Sequence, residues 1–192
     1  IGSIPIPSWA AKVFPDCGGE EAMEKLLEVI FAAVRVHGDG SAVARWKEHL
    51  DTPQVRTDKL NALRLESLHY PNSLGTDLPI PRPEAPVGAG GGDRCKAGHC
   101  FIANMPAEEI FTAPLRDGVD GVVYAAMPLV HDGNIVDGFH MVVREGKIVE
   151  VHAQTGEDTL QAAISLDEGA SHFGEVALVP YDSPISNQKI LF

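Results

Sequence analysis

The sequence predicts a mixed α+β fold, with helices near the N-terminus followed by a sheet built from antiparallel hairpins. Residues 20–36, EEAMEKLLEVIFAAVRV, place Met23, Leu26, Leu27, Ile30, Phe31 and Val34 at the spacing of one helical face. From residue 65 onward the character changes to short apolar runs. Two pairs of these runs are joined by HDG (131–133) and REG (144–146), short Gly-containing links of the kind that close hairpins.

Taken in order, residues 1–19 are rich in turn formers, with Pro5, Pro7, Pro15, Gly18 and Gly19. The first helix spans 20–36. Glu20, Glu21 and Glu24 stand in its first turns, where acid complements the helix dipole, and HGDG (37–40) ends it. Ser41 caps a second helix running to about Leu50. DTP (51–53) interrupts it, and Pro53 opens a third helix to about residue 64 that exposes Arg56, Asp58 and Lys59. LESLHY (65–70) and HCFIANM (99–105) read as strands. Between them, Pro79, Pro81, Pro83 and Pro86 argue against a central strand or a helix. The runs 121–130, 134–143 and 147–154 form an antiparallel meander. Residues 157–170 read as a helix, and 175–180 as the last clear strand. The boundary falls near 70–75, giving a helical part (1–70) and a strand-rich part (71–192), with one compact domain over 1–192 as the alternative. No internal repeat is present.

Composition narrows the function. Hydrophobic residues make up 44% of the chain and charged residues 22%, a globular mix. No apolar run approaches the roughly 18 residues of a membrane helix, and IGSIPIPSW lacks the basic and apolar regions of an export signal. A net charge of −12 makes nucleic acid and anionic membranes poor partners. Three cysteines do not make a disulfide framework and suit a reducing, cytoplasmic compartment.

Few local patterns carry chemistry. GAGGGD (88–93) has Asp93 where a dinucleotide fingerprint needs its last Gly, and reads as a loop. No P-loop, G-x-S-x-G or H-E-x-x-H occurs. Cys95, His99 and Cys100 are of zinc-ligand type, but C-x3-H-C is not a finger spacing, and Cys100 opens an apolar run that would pack it in the core. Glu108 and Glu109 are adjacent. In a strand they would point to opposite faces; in a helical turn after Pro106 they would be early-turn acids. Glu175 heads the apolar run Val176–Val179. On spacing alone it is either a solvated strand end or one ligand for a divalent cation, and one ligand cannot complete a site.

Several blocks together resemble the M29 family of metallo-aminopeptidases, known as aminopeptidases T, S and II. They are AKVFPD (11–16), EEAMEKL (20–26), WKEH (46–49), LHY (68–70), GTDL (75–78), FIANMPAEEIFTAP (101–114), DEGASHFGEVALVP (167–180) and DSPISN (182–187). The resemblance covers nearly the whole chain, and the last three blocks are its most specific part. It implies a cytoplasmic homodimer that removes N-terminal residues from peptides with two divalent metals, zinc, cobalt or manganese. It also implies that Glu175, in the block Gly174–Pro180, is a metal ligand. In such a site two metals would polarise the scissile carbonyl and lower the pKa of a bridging water, while a carboxylate takes the proton.

The chain departs from the family at Tyr181, where the family usually has His, and before Trp9, where it is shorter. The family's other ligands lie beyond SPISN, so the resemblance implies one ligand at most within these residues. Two further readings stay open: a non-catalytic domain acting in folding, substrate gating or self-association, and a protein that borrows ligands from a partner chain. An unpaired terminal strand near 188–192 would suit assembly.

Overall fold

The computed structural model describes residues 2–83, 88–90 and 92–192. Pro86 and Gly91, which belong to two of the patterns above, lie outside the described residues. The chain forms two compact units, each assembled from separate stretches. The first comprises Ile1–Lys59, Gly88–Ile110 and Ala177–Phe192; the second comprises Leu60–Val87 and Phe111–Val176. Helices precede most of the strands, and the sheets are antiparallel wherever their register is defined, as an α+β fold requires.

The first unit begins with a helix that the sequence reading missed, α1 (Pro7–Val13). Pro5 and Pro7 look like breakers, yet proline suits the first turn of a helix, whose N–H would be unpaired in any case. α2 spans Gly19–Ala33, ending before the expected residue 36. Arg35 takes a positive φ of 60°. Its amide bonds to the Ala32 carbonyl and the Val36 amide to Phe31, the paired bonds of a left-handed helix stop. Ala10, Ala22 and Leu26 are fully buried between α1 and α2, with Trp9, Val13, Met23 and Ile30 around them.

The two helices expected on either side of DTP are one, α3 (Ala42–Leu63), with Pro53 inside it. Pro53 cannot donate to the carbonyl of residue 49, a loss of roughly 3 kcal/mol in an isolated helix. Packing compensates: Pro53 and Thr57 are buried, and a Cβ on Gly90 would stand 3.2 Å from the Pro53 side chain. Gly90 is therefore a close-approach residue. Arg56, Asp58 and Lys59 are exposed as expected.

The second unit holds a five-stranded sheet. Its strands are β1 (Ser67–Pro71), β2 (Asp77–Pro81), β7 (Gly121–Tyr124), β10 (His140–Arg144) and β11 (Lys147–His152), in the order β1-β2-β7-β10-β11. The remaining strands in chain order are β3 (Ala89–Gly90), β4 (Asp93–Arg94), β5 (Cys100–Phe101), β6 (Ile110–Thr112), β8 (Leu129–His131), β9 (Asn134–Val136) and β12 (Val176–Leu178).

β2 corrects the expectation that prolines exclude an inner strand here. Leu78 and Ile80 alternate into the core while Pro79 faces out. β2 pairs with β1 over five positions but with β7 only at Asp77↔Val122. Pro79 and Pro81, two residues apart, lack donors on one flank, which limits the ladder there. The expected meander is interrupted: β8 and β9 form a separate two-stranded hairpin between β7 and β10. Both Gly links turn as predicted, with positive φ at Asp132 and Gly133 and at Glu145 and Gly146.

Leu78, Ile80, Val119, Val143 and Val176 form one core, and Val136, Val151 and Leu160 a second. The helix expected over 157–170 is α4 (Glu157–Ile164), shorter because the stretch ending at Gly169 folds as turns around the Asp167 carboxylate. The expected terminal strand is absent. Pro184–Gln188 is α5, capped by the Ser183 hydroxyl, and residues 190–192 are irregular. Among the described residues no helix is long and apolar enough to cross a membrane.

Candidate functional site

Glu175 lies one residue before β12 and is exposed. The preceding segment ties it into the second unit. Phe173 packs on the core of the sheet, the Ser171 carbonyl accepts from the Ile148 amide at 2.8 Å, and His172 bridges to Lys147. The His172 imidazole is almost wholly covered, with Nε2 3.7 Å from Asp117. The carboxylate of Glu175 thus stands at the end of a firmly anchored segment and is open to solvent.

No group of three or more His, Cys, Asp or Glu side chains able to hold a metal ion occurs among the described residues. Glu175 by itself offers one or two oxygens, whereas zinc takes three or four ligands. The described residues therefore do not make a metal centre on their own.

Cys95, His99 and Cys100 fall on the hairpin of β4 and β5. The Cys95 amide bonds to the His99 carbonyl at 2.9 Å, and Cys100 pairs with Arg94. Residues opposed across an antiparallel pair share a face, so Cys95 shares His99's face and Cys100 points the other way. Cys100 is exposed, not packed in the core as expected: β5 is only two residues long and both of its residues are exposed. Tyr181 is 83% exposed.

Glu108 and Glu109 lie in neither a strand nor a helix. Glu108 is buried and holds Arg35 with both oxygens, Arg35 Nη2 donating to Oε2 at 2.9 Å. The Arg35 guanidinium lies 5.5 Å from the centroid of the Trp46 ring. The Trp46 indole donates to the Val34 carbonyl at 2.8 Å, closing the end of α2. His49 meets Trp46 edge-on, its Nε2 2.7 Å from the Ala107 carbonyl and 3.8 Å from Glu108. This polar knot joins residues 73 positions apart in sequence, so no local spacing could reveal it.

Beside the knot the first unit has a cleft of about 560 Å³. Arg45, Glu48, His49 and Thr52 of α3 line one side, and Asn187 and Gln188 of α5 another.

These features belong to a chain of the M29 family of thermophilic metalloproteases, whose family model matches residues 1–192. Aminopeptidase AmpS of Bacillus subtilis is 48% identical over 184 residues, covering 96% of this chain and 44% of that protein. Aminopeptidase 2 of Geobacillus stearothermophilus is 39% identical, covering 99% of this chain and 46% of that protein. The solved structure of wild-type AmpT from Thermus thermophilus matches with a TM-score of 0.88 at 39% identity, over 98% of this chain and 46% of that one. The chain thus spans about half the length of the curated relatives it matches.

Proposed function

We propose that this chain is part of a metal-dependent aminopeptidase that removes N-terminal residues from peptides, and that Glu175 is one of its metal ligands. The observation that carries this reading is the family match along all of residues 1–192, together with relatives at 39–48% identity that are named aminopeptidases. The exposed carboxylate on an anchored segment supports the role given to Glu175. The metals are two divalent ions, zinc, cobalt or manganese, and the remaining ligands come from residues outside this chain. The working protein is a cytoplasmic homodimer. The 192 residues alone are not expected to turn over substrate, because a lone carboxylate cannot fix a metal pair.

Hydrolysis of a leucyl-chromophore substrate tests this in two settings. The 192-residue chain is assayed with zinc, cobalt or manganese, and Glu175→Gln is assayed in a full-length relative at the matching position. The expected result is no turnover by the chain and, in the relative, loss of both activity and bound metal measured by elemental analysis. Unchanged metal content and activity in the full-length variant would remove Glu175 from the ligand set. Metal-dependent turnover by the chain alone would show a site completed between copies.

A further inference from the structure

The five-stranded sheet of the second unit carries a row of three rings across neighbouring strands. Register sets Tyr124 of β7 opposite His140 of β10, and His140 opposite His152 of β11. Residues opposed across an antiparallel pair share a face. The Tyr124 and His140 rings stack with centroids 4.7 Å apart, and the His152 ring follows 5.0 Å from His140. Met141 and Val151, one position along their strands, point to the opposite face and pack into the core with Val136 and Leu160. The rings therefore stand on the outer face, with His140 half-buried and His152 exposed.

The nitrogens of these two histidines are uncommitted. His49 bonds to the Ala107 carbonyl and His69 to Asp77, while His172 lies against Ser171 and Asp117. Neither the His140 nor the His152 ring has a hydrogen bond or an ion pair among the described residues. Tyr124 steadies the pair from the far side. An added Cβ on Gly75 would stand 3.0 Å from the Tyr124 ring, so that ring is seated on bare backbone. The Tyr124 amide also donates to the Thr76 hydroxyl at 2.9 Å. Stacked on a seated ring, His140 has less rotamer freedom to lose on binding.

Two imidazoles side by side and open to solvent are donors suited to a late divalent transition metal. Metal–nitrogen bonds of about 2.0–2.1 Å require the two nitrogens to come within ~4 Å of each other. Rings with centroids 5.0 Å apart reach that through side-chain torsions, with no change in the strands. The net charge of −12 draws cations to the surface.

We propose that His140 and His152 form a surface site for a divalent late transition metal, nickel, copper or zinc, with water in its remaining positions. Two protein ligands make an open, exchangeable site and not a closed centre of three or four. The pair includes no residue assigned to peptide hydrolysis and stands whether or not that reading holds. Titration calorimetry of the 192-residue chain with nickel iminodiacetate tests it. The chelator fills part of the coordination shell and leaves room for two imidazoles, and nickel does not oxidise the free cysteines. Saturable binding with a dissociation constant below about 100 μM is expected. His152→Gln, at an exposed position that leaves the fold alone, should weaken it at least about tenfold, and His140→Gln should do the same. His99→Gln, which removes another exposed histidine, should leave the affinity in place. In NMR amide spectra the paramagnetic nickel should broaden the signals around His140 and His152 first. Unchanged affinity in His152→Gln, or an equal loss in His99→Gln, would overturn the proposal. The absence of saturable binding up to about 1 mM would overturn it too.

Discussion

Arg35 illustrates how one residue can serve three ends at once. It ends α2 in the left-handed conformation, lies against Trp46 and neutralises a buried carboxylate. Its side chain is 15% exposed and that of Glu108 only 5%, so removing one partner strands a charge in a poorly solvated place. Glu108→Ala is expected to cost about 3–5 kcal/mol, read as a drop in the urea midpoint. The double replacement Arg35→Met with Glu108→Leu should cost clearly less, because neither charge is then left alone. Arg35→Lys should behave more like a deletion than a conservative change, since an ammonium cannot reproduce the two-pronged grip. A double change as damaging as the single one would show that the knot matters for its shape rather than its charge.

Among the elements, the two hairpin links show what is legible locally. Asp132-Gly133 and Glu145-Gly146 were readable as turns because two consecutive positive φ values suit such pairs, and nothing distant is needed to set them. At Gly146 the requirement is also steric: an added Cβ would sit 1.9 Å from the Arg116 carbonyl oxygen. Gly146→Ala should therefore destabilise by more than the ~1 kcal/mol usual for a glycine-to-alanine misfit. Glu145→Asn, which fits the left-handed position better, should raise the urea midpoint by about 0.4–1 kcal/mol equivalent. Several of the departures from expectation involve proline. Pro7 suggests a turn but starts a helix, Pro53 sits inside one, and Pro79 lies in an inner strand. Proline removes a donor, and whether that donor was needed depends on what packs nearby, which is a tertiary fact.

At the scale of the whole molecule, the α+β class and the family were readable from the chain, and a working centre was not. Periodicity marks α2, and the block Gly174–Pro180 marks the family and singles out Glu175. The Arg35–Glu108 pair and the cleft beneath α5 depend on contacts between distant stretches and left no local trace. The passage of the chain between its two units has a practical result. It moves from one to the other at residues 60, 88, 111 and 177, so no single cut releases either unit whole. A fragment of residues 1–70 would lack two of the three stretches of the first unit. It should show weak, non-cooperative unfolding by circular dichroism, where the full chain unfolds sharply; a cooperative transition would prove the helical part self-sufficient. The same arrangement means that a protease nick in one unit need not free a folded piece. An evolutionary exchange of either unit as a cassette would require several splices made together.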